Sequence, residues 1–289
     1  MKPANLKTKI FLDSGDPEET KKIISLLGFL DGQTTNPTLI ARNPAAQQRL
    51  EAGEKFSSQE IFDFYKSVVT EVSTLIPSGS VSIEVYADQH TTAEEMLIQA
   101  KDFYQWIPNA HIKFPITAAG LSAVERAVVD GVRVNMTLCF TQDQAAAVYA
   151  ATRGAEPGQV FVSPFVGRLD DRGINGMELS KNIVQMYSEG DGHVWVLTSS
   201  VRTLDHFLCA LQLGSDIITA PFSVLNKWAG GGMPIPDSSY MYPAGDLASI
   251  PYQPLNLQQQ WQMFNIQHEL TKAGIERFST DWNQLINKP

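Results

Sequence analysis

Short apolar runs of strand length alternate along this chain with longer segments whose apolar positions recur at helical spacing. The runs fall at 9–13, 30–35, 81–85, 111–116, 133–138, 160–163, 193–198 and 216–219. Most are rich in Val, Ile and Phe, which suit a buried pleated surface. The first intervening helix opens at Asp16-Pro17-Glu18-Glu19, where a proline and carboxylates favour a helix start. Ile23, Ile24 and Leu27 form its apolar face. Further helices are expected at 59–76, 91–106, 117–128, from Gln142 onward, at 176–187, at 204–213 and, short, at 223–228. Eight strand–helix alternations predict an α/β chain closed into a (β/α)8 TIM barrel. A doubly wound open sheet is the alternative, but no Gly-x-Gly-x-x-Gly follows a strand-like run.

The pattern changes at 230–255, which holds Gly230-Gly231-Gly232, five prolines and several tyrosines. A glycine run that cradles phosphate follows a strand and opens a helix. This one follows a helix and enters a proline-rich stretch, so it reads as a surface loop. Helical spacing returns at 258–285, with Leu270, Ile275, Phe278 and Trp282 as a buried stripe. The expected division is a barrel at 1–229, a Gly/Pro-rich insertion at 230–256, and a C-terminal helical extension at 257–289. That extension would dock on the barrel or on a neighbouring subunit, which leaves a homo-oligomer open.

Composition narrows the picture. The 289 residues are 43% hydrophobic, enough for one large barrel core. A net charge of −9 argues against nucleic acid as a partner and requires any anion site to be a local cluster of arginine or lysine. Cys139 and Cys209 make no disulfide framework and read as small core residues. Met1-Lys2-Pro3-Ala4-Asn5 lacks an apolar signal core, and no apolar run approaches the roughly 20 residues of a membrane span. The expectation is a cytoplasmic protein with no membrane contact. The five histidines show no metal-ligand spacing, so no metal is expected.

The candidate chemistry starts at Lys113, a lysine among apolar neighbours in His111-Ile112-Lys113-Phe114-Pro115-Ile116. Held at the edge of a pocket, such an amine is desolvated, is freed of its proton more easily and can form a Schiff base with a ketone. Taken alone, the segment also fits a lysine that ends a strand and stretches to solvent. Reactive groups of a barrel gather at the C-terminal ends of its strands. There the chain offers Asp13, then Thr34-Thr35-Asn36, Glu84, Lys113, Asn135 with Thr137, Ser163 with Arg168, and Ser199-Ser200 with Arg202. Each has a plain structural reading: Asp13 as a helix cap, Asn36 as a turn before proline, Arg168 as a partner of Asp170 or Asp171. Together they suit aldol chemistry through an imine. Lys113 is the amine, Asp13 the base on a hydroxyl, Glu84 and Thr137 the holders of a water, and Arg168 and Arg202 a phosphate clamp.

With these motifs in view, the chain resembles the transaldolases across nearly all of the barrel. The matching stretches are Phe11-Leu12-Asp13-Ser14, Asp31-Gly32-Gln33-Thr34-Thr35-Asn36-Pro37-Thr38, Val81-Ser82-Ile83-Glu84-Val85 and Ile112-Lys113-Phe114-Pro115. Asn135-Met136-Thr137-Leu138, Ser163-Pro164-Phe165-Val166-Gly167-Arg168-Leu169-Asp170-Asp171 and Ser200-Val201-Arg202 complete the set. The resemblance implies that Lys113 is the Schiff-base lysine and Asp13 the acid/base on the C4 hydroxyl. Glu84 and Thr137 would hold a catalytic water, and Asn36, Thr35 and Asn135 would contact substrate. Ser163 and Phe165 would wall the pocket, and Arg168, Ser200 and Arg202 would bind phosphate. It implies transfer of a dihydroxyacetone unit between phosphorylated ketose and aldose substrates, with no metal or organic cofactor.

Three departures stand out. Phe114 replaces a smaller aliphatic residue, the 230–255 segment is additional, and the 41–58 connection is long enough to cover a pocket mouth. The nearest alternative is the related fructose-6-phosphate aldolase type, a lyase that releases free dihydroxyacetone. That type resembles this chain less at two positions, having glutamine at the place of Glu84 and tyrosine at the place of Phe165. A sugar-phosphate-binding barrel without catalysis would have no need of Lys113, Asp13, Glu84 and Thr137 together.

Overall fold

The computed structural model describes residues 2–287. Eight parallel strands close into a barrel in sequence order. They are β1 (Lys9–Asp13), β2 (Gly32–Thr34), β3 (Ser80–Glu84), β4 (Ala110–Pro115), β5 (Val134–Cys139), β6 (Val160–Pro164), β7 (Val194–Thr198) and β8 (Ile217–Ala220). The helices that follow them are α1 (Pro17–Leu27), α2 (Pro37–Ala41), α3 (Pro44–Glu51), α4 (Ser58–Leu75), α5 (Ala93–Tyr104), α6 (Ala118–Val129) and α7 (Gln142–Ala151). Then come α8 (Val166–Asp170), α9 (Gly176–Tyr187), α10 (Leu204–Gln212), α11 (Phe222–Gly230) and the C-terminal α12 (Glu269–Gln284). This is the (β/α)8 TIM barrel that the alternation predicts.

Local chemistry sets the helix starts. Asp16, Asn36, Thr117, Thr141 and Thr203 each turn a side-chain oxygen onto a first-turn N–H, satisfying donors that a helix leaves unpaired. Ser57 with Glu60 and Thr92 with Glu95 form reciprocal capping boxes.

Side chains alternate across each strand, so Phe11, His111 and Phe161 share the inward face with Asp13, Lys113 and Ser163 one pleat higher. His111 stacks on Phe161 at 4.1 Å, and Phe11 meets the same ring edge-on at 6.2 Å. With Leu197 and Ile217 these rings plug the barrel. The functional layer therefore sits on a solid apolar floor rather than over a pore. Gly32 is required here, because a Cβ would stand 2.4 Å from the Phe11 ring. Phe114 points the other way and is wholly buried in the outer core. Burial pushes both cysteine thiols up to about 12, as suits inert core residues.

The chain departs from the sequence pattern in the connections. The short helices α2, α3 and α8 were not predicted, since five to eight residues are too few to display a period. The 231–268 stretch is an ordered strap with one 3-10 turn, Trp261–Met263. It pairs with the outside of the barrel: Ala248 exchanges backbone hydrogen bonds with Gly173 and Asn175 at 2.7 and 2.8 Å. The Asn182 amide donates to the Ile250 carbonyl, and Arg153 donates to the Leu257 carbonyl. The helical reading of 258–268 is therefore corrected. Backbone groups there are taken up by α7, as when Gln144 Nε2 donates to the Ile266 carbonyl at 3.0 Å. The last helix begins only where His268 caps Leu270. Its stripe of Leu270, Ile275, Phe278 and Trp282 is buried against the barrel, beside α2 and β5.

Candidate active site

Lys113 ends in a fully enclosed position at the C-terminal rim, only 3% exposed. The reading that it stretches to solvent is excluded. Its Nζ donates to the Thr35 carbonyl at 3.0 Å and lies 3.0 Å from Glu84 Oε2. Register explains the pairing, because Glu84 and Lys113 are Cα partners on adjacent strands, as are Lys113 and Asn135. Burial pushes the Glu84 carboxyl above the usual carboxylate range, and the Lys113 ammonium pulls it back.

Asp13 reaches the same layer from β1. Burial raises its carboxyl too, opposed first by Lys113 and then by a 2.6 Å hydrogen bond from Thr34 Oγ1. With that proton directed at Asp13, Thr219 donates its hydroxyl to Thr34 at 2.6 Å. Both carboxyls thus lie near the Lys113 ammonium in a poorly solvated layer.

A cavity of about 180 Å³ opens above. Asp13, Asn36, Lys113, Ser163, Phe165, Arg168, Ser200 and Arg202 all line it, together with Thr34, Thr219 and Phe278. Larger cavities exist, among them one of about 430 Å³ at the N-terminal rim, where Lys7 and Lys9 make no ion pair with Asp216. Glu84, Thr137, Thr35 and Asn135 do not line the pocket. Asn135 donates to Ser82 Oγ at 3.1 Å and accepts from Ser163 Oγ at 2.7 Å, so it orients Ser163. Thr137 Oγ1 is buried with no hydrogen-bond partner among the described residues.

Thr35 is a correction. Its hydroxyl donates to the Ser82 carbonyl at 2.7 Å and accepts from Tyr65, so the side chain faces the outer core and only its carbonyl reaches Lys113. Tyr65 also accepts the Glu84 N–H at 2.9 Å, making it a support that the sequence concealed within the apolar stripe of α4. Asn36 lines the pocket while its Oδ1 caps α2 through the Leu39 N–H.

Four arginines line the mouth: Arg42, Arg168, Arg202 and Arg277. Arg168 pairs with neither Asp170 nor Asp171. Its guanidinium lies 5.1 Å from the Phe165 ring centroid and 5.3 Å from that of Phe278. Burial, reinforced by Arg277, draws it down to about 10, and it stays charged at neutral pH. Arg202 takes Asp171 instead, in a two-pronged ion pair with Nη2 to Oδ2 at 2.7 Å. Both partners are about half exposed, so solvent screens this pair and Arg202 remains releasable. Arg42 and Arg277 escaped sequence reading because only packing brings the end of α2 and the C-terminal helix to one mouth. Of the long 41–58 connection, Arg42 alone reaches the pocket. Among the described residues no cluster of three His, Cys, Asp or Glu could hold a metal ion. Nor is any helix there long and apolar enough to cross a membrane.

A closed parallel barrel whose C-terminal rim carries a buried lysine, two carboxyls and a mouth of arginines defines the class, a TIM-barrel protein with an amine-centred site. The chain belongs to the transaldolase/fructose-6-phosphate aldolase family, whose model matches residues 10–288. A relative from Dehalococcoides mccartyi, named "Probable transaldolase", is 36% identical over 96% of this chain and 99% of its own length. Relatives of the same name from Brucella anthropi and Roseiflexus castenholzii are 37% and 32% identical. They cover 97% and 95% of this chain and 99% and 96% of their own.

Proposed function

We propose that this protein is a transaldolase of the pentose phosphate pathway. It moves a dihydroxyacetone unit reversibly, turning sedoheptulose 7-phosphate and glyceraldehyde 3-phosphate into erythrose 4-phosphate and fructose 6-phosphate. The observation that carries this reading is Lys113, enclosed and 3.0 Å from Glu84 beneath an arginine-lined pocket that Asp13 also faces.

Lys113 passes a proton to its carboxylate neighbourhood and attacks C2 of the ketose. The C2 oxygen leaves as water, and a C2=N iminium remains. Asp13 takes the C4 hydroxyl proton, the C3–C4 bond breaks, and its electron pair flows into the iminium to give an enamine. The first aldehyde departs. The enamine C3 then attacks the acceptor carbonyl carbon, Asp13 returns its proton to the new C4 oxygen, and water hydrolyses the imine. Glu84 and the unpaired Thr137 hydroxyl handle that water. Asn36 meets substrate hydroxyls, Asn135 acts through Ser163, which it orients, Ser163 and Phe165 form the wall, and Arg168, Ser200 and Arg202 take the phosphate, arginine offering several donors at once. Glu84 and Phe165 favour transfer over the lyase reaction, on the resemblance described above.

Borohydride reduction with fructose 6-phosphate is expected to add a ketose-derived mass to the Lys113 peptide. Lys113→Met should gain none; a trapped mass on that variant would refute the amine assignment. In a coupled assay, sedoheptulose 7-phosphate should form faster than free dihydroxyacetone, and the reverse order would make the protein a lyase.

A further inference from the structure

Arg202 is reached from behind by a chain of groups that the proposed chemistry does not use. Its backbone N–H donates to His206 Nδ1 at 3.3 Å. The other ring nitrogen, Nε2, lies 2.6 Å from Asp170 Oδ2. With Nδ1 accepting, the ring proton sits on Nε2, which donates to Asp170. Asp170 Oδ2 also accepts from the Tyr242 hydroxyl at 3.2 Å, and its Oδ1 accepts from the Gly176 N–H at 2.9 Å. His206 is only 4% exposed.

The local sequence explains the arrangement. Thr203 caps α10 by accepting the His206 N–H, which puts His206 at the third helical position, where a glutamate would complete a capping box. Here the imidazole reaches back one residue further, to Arg202. The same loop is under strain: Ser200 adopts φ 57°, a left-handed conformation costly for a residue with a Cβ. The Ser200 carbonyl accepts the Gly167 N–H at 3.1 Å. Residue 167 can only be glycine, since a Cβ would stand 2.4 Å from that carbonyl and 2.7 Å from Arg202 Nε. Tyr242 comes from the Gly/Pro-rich strap, and its neighbour Tyr240 is pinned to Asp205 at 3.2 Å.

We infer that Tyr242, Asp170 and His206 form a positioning relay that sets the Ser200–Arg202 loop for the phosphate of the substrate. The strap is thereby a specificity element for phosphorylated over free sugars. This rests on the reading of Arg168, Ser200 and Arg202 as the phosphate site. The relay touches no reacting atom, so it acts on binding of the phosphate end and not on the imine steps.

The test compares fructose 6-phosphate with free fructose as donor, using unphosphorylated glyceraldehyde as acceptor, on variants whose fold is checked by circular dichroism. His206→Ala is expected to raise KM for fructose 6-phosphate about 5- to 20-fold, and Tyr242→Phe about 3- to 10-fold, as for the loss of one or two hydrogen bonds. Both should keep kcat, and their kcat/KM for fructose, within about twofold, well under the effect of one lost hydrogen bond. His206→Asn, whose Oδ1 takes the place of Nδ1 toward the Arg202 N–H, should recover much of the loss. Equal losses on both donors, a fall in kcat alone, or no recovery with asparagine would overturn the relay. Tyr242→Phe decides the matter if His206→Ala does not fold. Arg168→Ala and Arg202→Ala separate the two readings. If they raise KM for fructose 6-phosphate while the relay variants do not, only the relay fails. If they too leave it unchanged, the phosphate site is misassigned.

Discussion

Asp13 is partly buried at the barrel rim and is proposed as the base. Its carboxyl is raised by desolvation, more than Lys113 and Thr34 lower it. The fold therefore favours the protonated form. As pH climbs, the unfolded chain loses this proton first, so stability falls between the ordinary aspartate pKa and the raised native one, and the full cost persists above it. Asp13→Asn keeps an acceptor for the Thr34 hydroxyl and removes the ionised state. Thermal melts at pH 7 should thus show the variant more stable than the parent, with the difference shrinking toward pH 3. Turnover should drop by about two to four orders of magnitude, the span of a lost general base, while borohydride still traps the imine. A variant that turned over normally but trapped nothing would contradict the role. In the parent, kcat/KM should fall on the acid side at a pH above the ordinary aspartate range. Glu84 follows the same logic; its place near a strand end was legible in the sequence, whereas the register that sets it beside Lys113 is seen only in the structure. Tyr65 was not legible: a tyrosine in the apolar stripe of a helix reads as core, and only its hydroxyl contacts reveal it as the support of Glu84.

At the scale of elements, α12 is the least expected contributor. Its apolar stripe was evident, yet the same helix delivers Arg277 and Phe278 to the pocket. It approaches β5 at Gly274, where a Cβ would lie 2.5 Å from Leu138 Cδ2 and 2.9 Å from Arg168 Nη1. Thr271 Oγ1 donates to the Leu138 carbonyl at 3.0 Å, beside the irregular register of β5 where Leu138 adopts φ 62°. Gly274→Ala gains about 1 kcal/mol of helix propensity, which offsets part of the crowding. Its melting temperature should stay within a few degrees of the parent, as expected for a net change near 1 kcal/mol. The Arg168 guanidinium must move, so KM for fructose 6-phosphate should rise while that for fructose does not. Steady-state kinetics on both donors check this, and an unchanged KM would mean that α12 only covers the barrel.

Across the whole molecule, a net charge of −9 coexists with four arginines at one mouth. Attraction of an anionic substrate is thus local and short-ranged against a repulsive background. Raising ionic strength from about 0.01 to 0.15 M shortens the screening length from about 30 to 8 Å. KM for phosphorylated substrates should increase severalfold over that range, with kcat flat and free fructose indifferent. A salt-independent KM would argue that the arginines are occupied by protein carboxylates in solution, as Arg202 is by Asp171.

The sequence by itself determined the barrel, the strand that carries Lys113, and the rim to which Asp13, Glu84, Asn36 and Arg168 belong. Period-2 and period-3.6 patterns are local, and parallel strands in sequence order leave one way to bring their ends together. Tertiary structure alone decided which side chains face the pocket. It turned the Thr35 hydroxyl outward, tied Arg202 to Asp171, and freed Arg168. It also drew Arg42, Arg277 and the strap tyrosines to the same end. Those outcomes depend on competition for hydrogen-bond partners and charges between segments far apart in the chain, and no spacing along it encodes which partner wins.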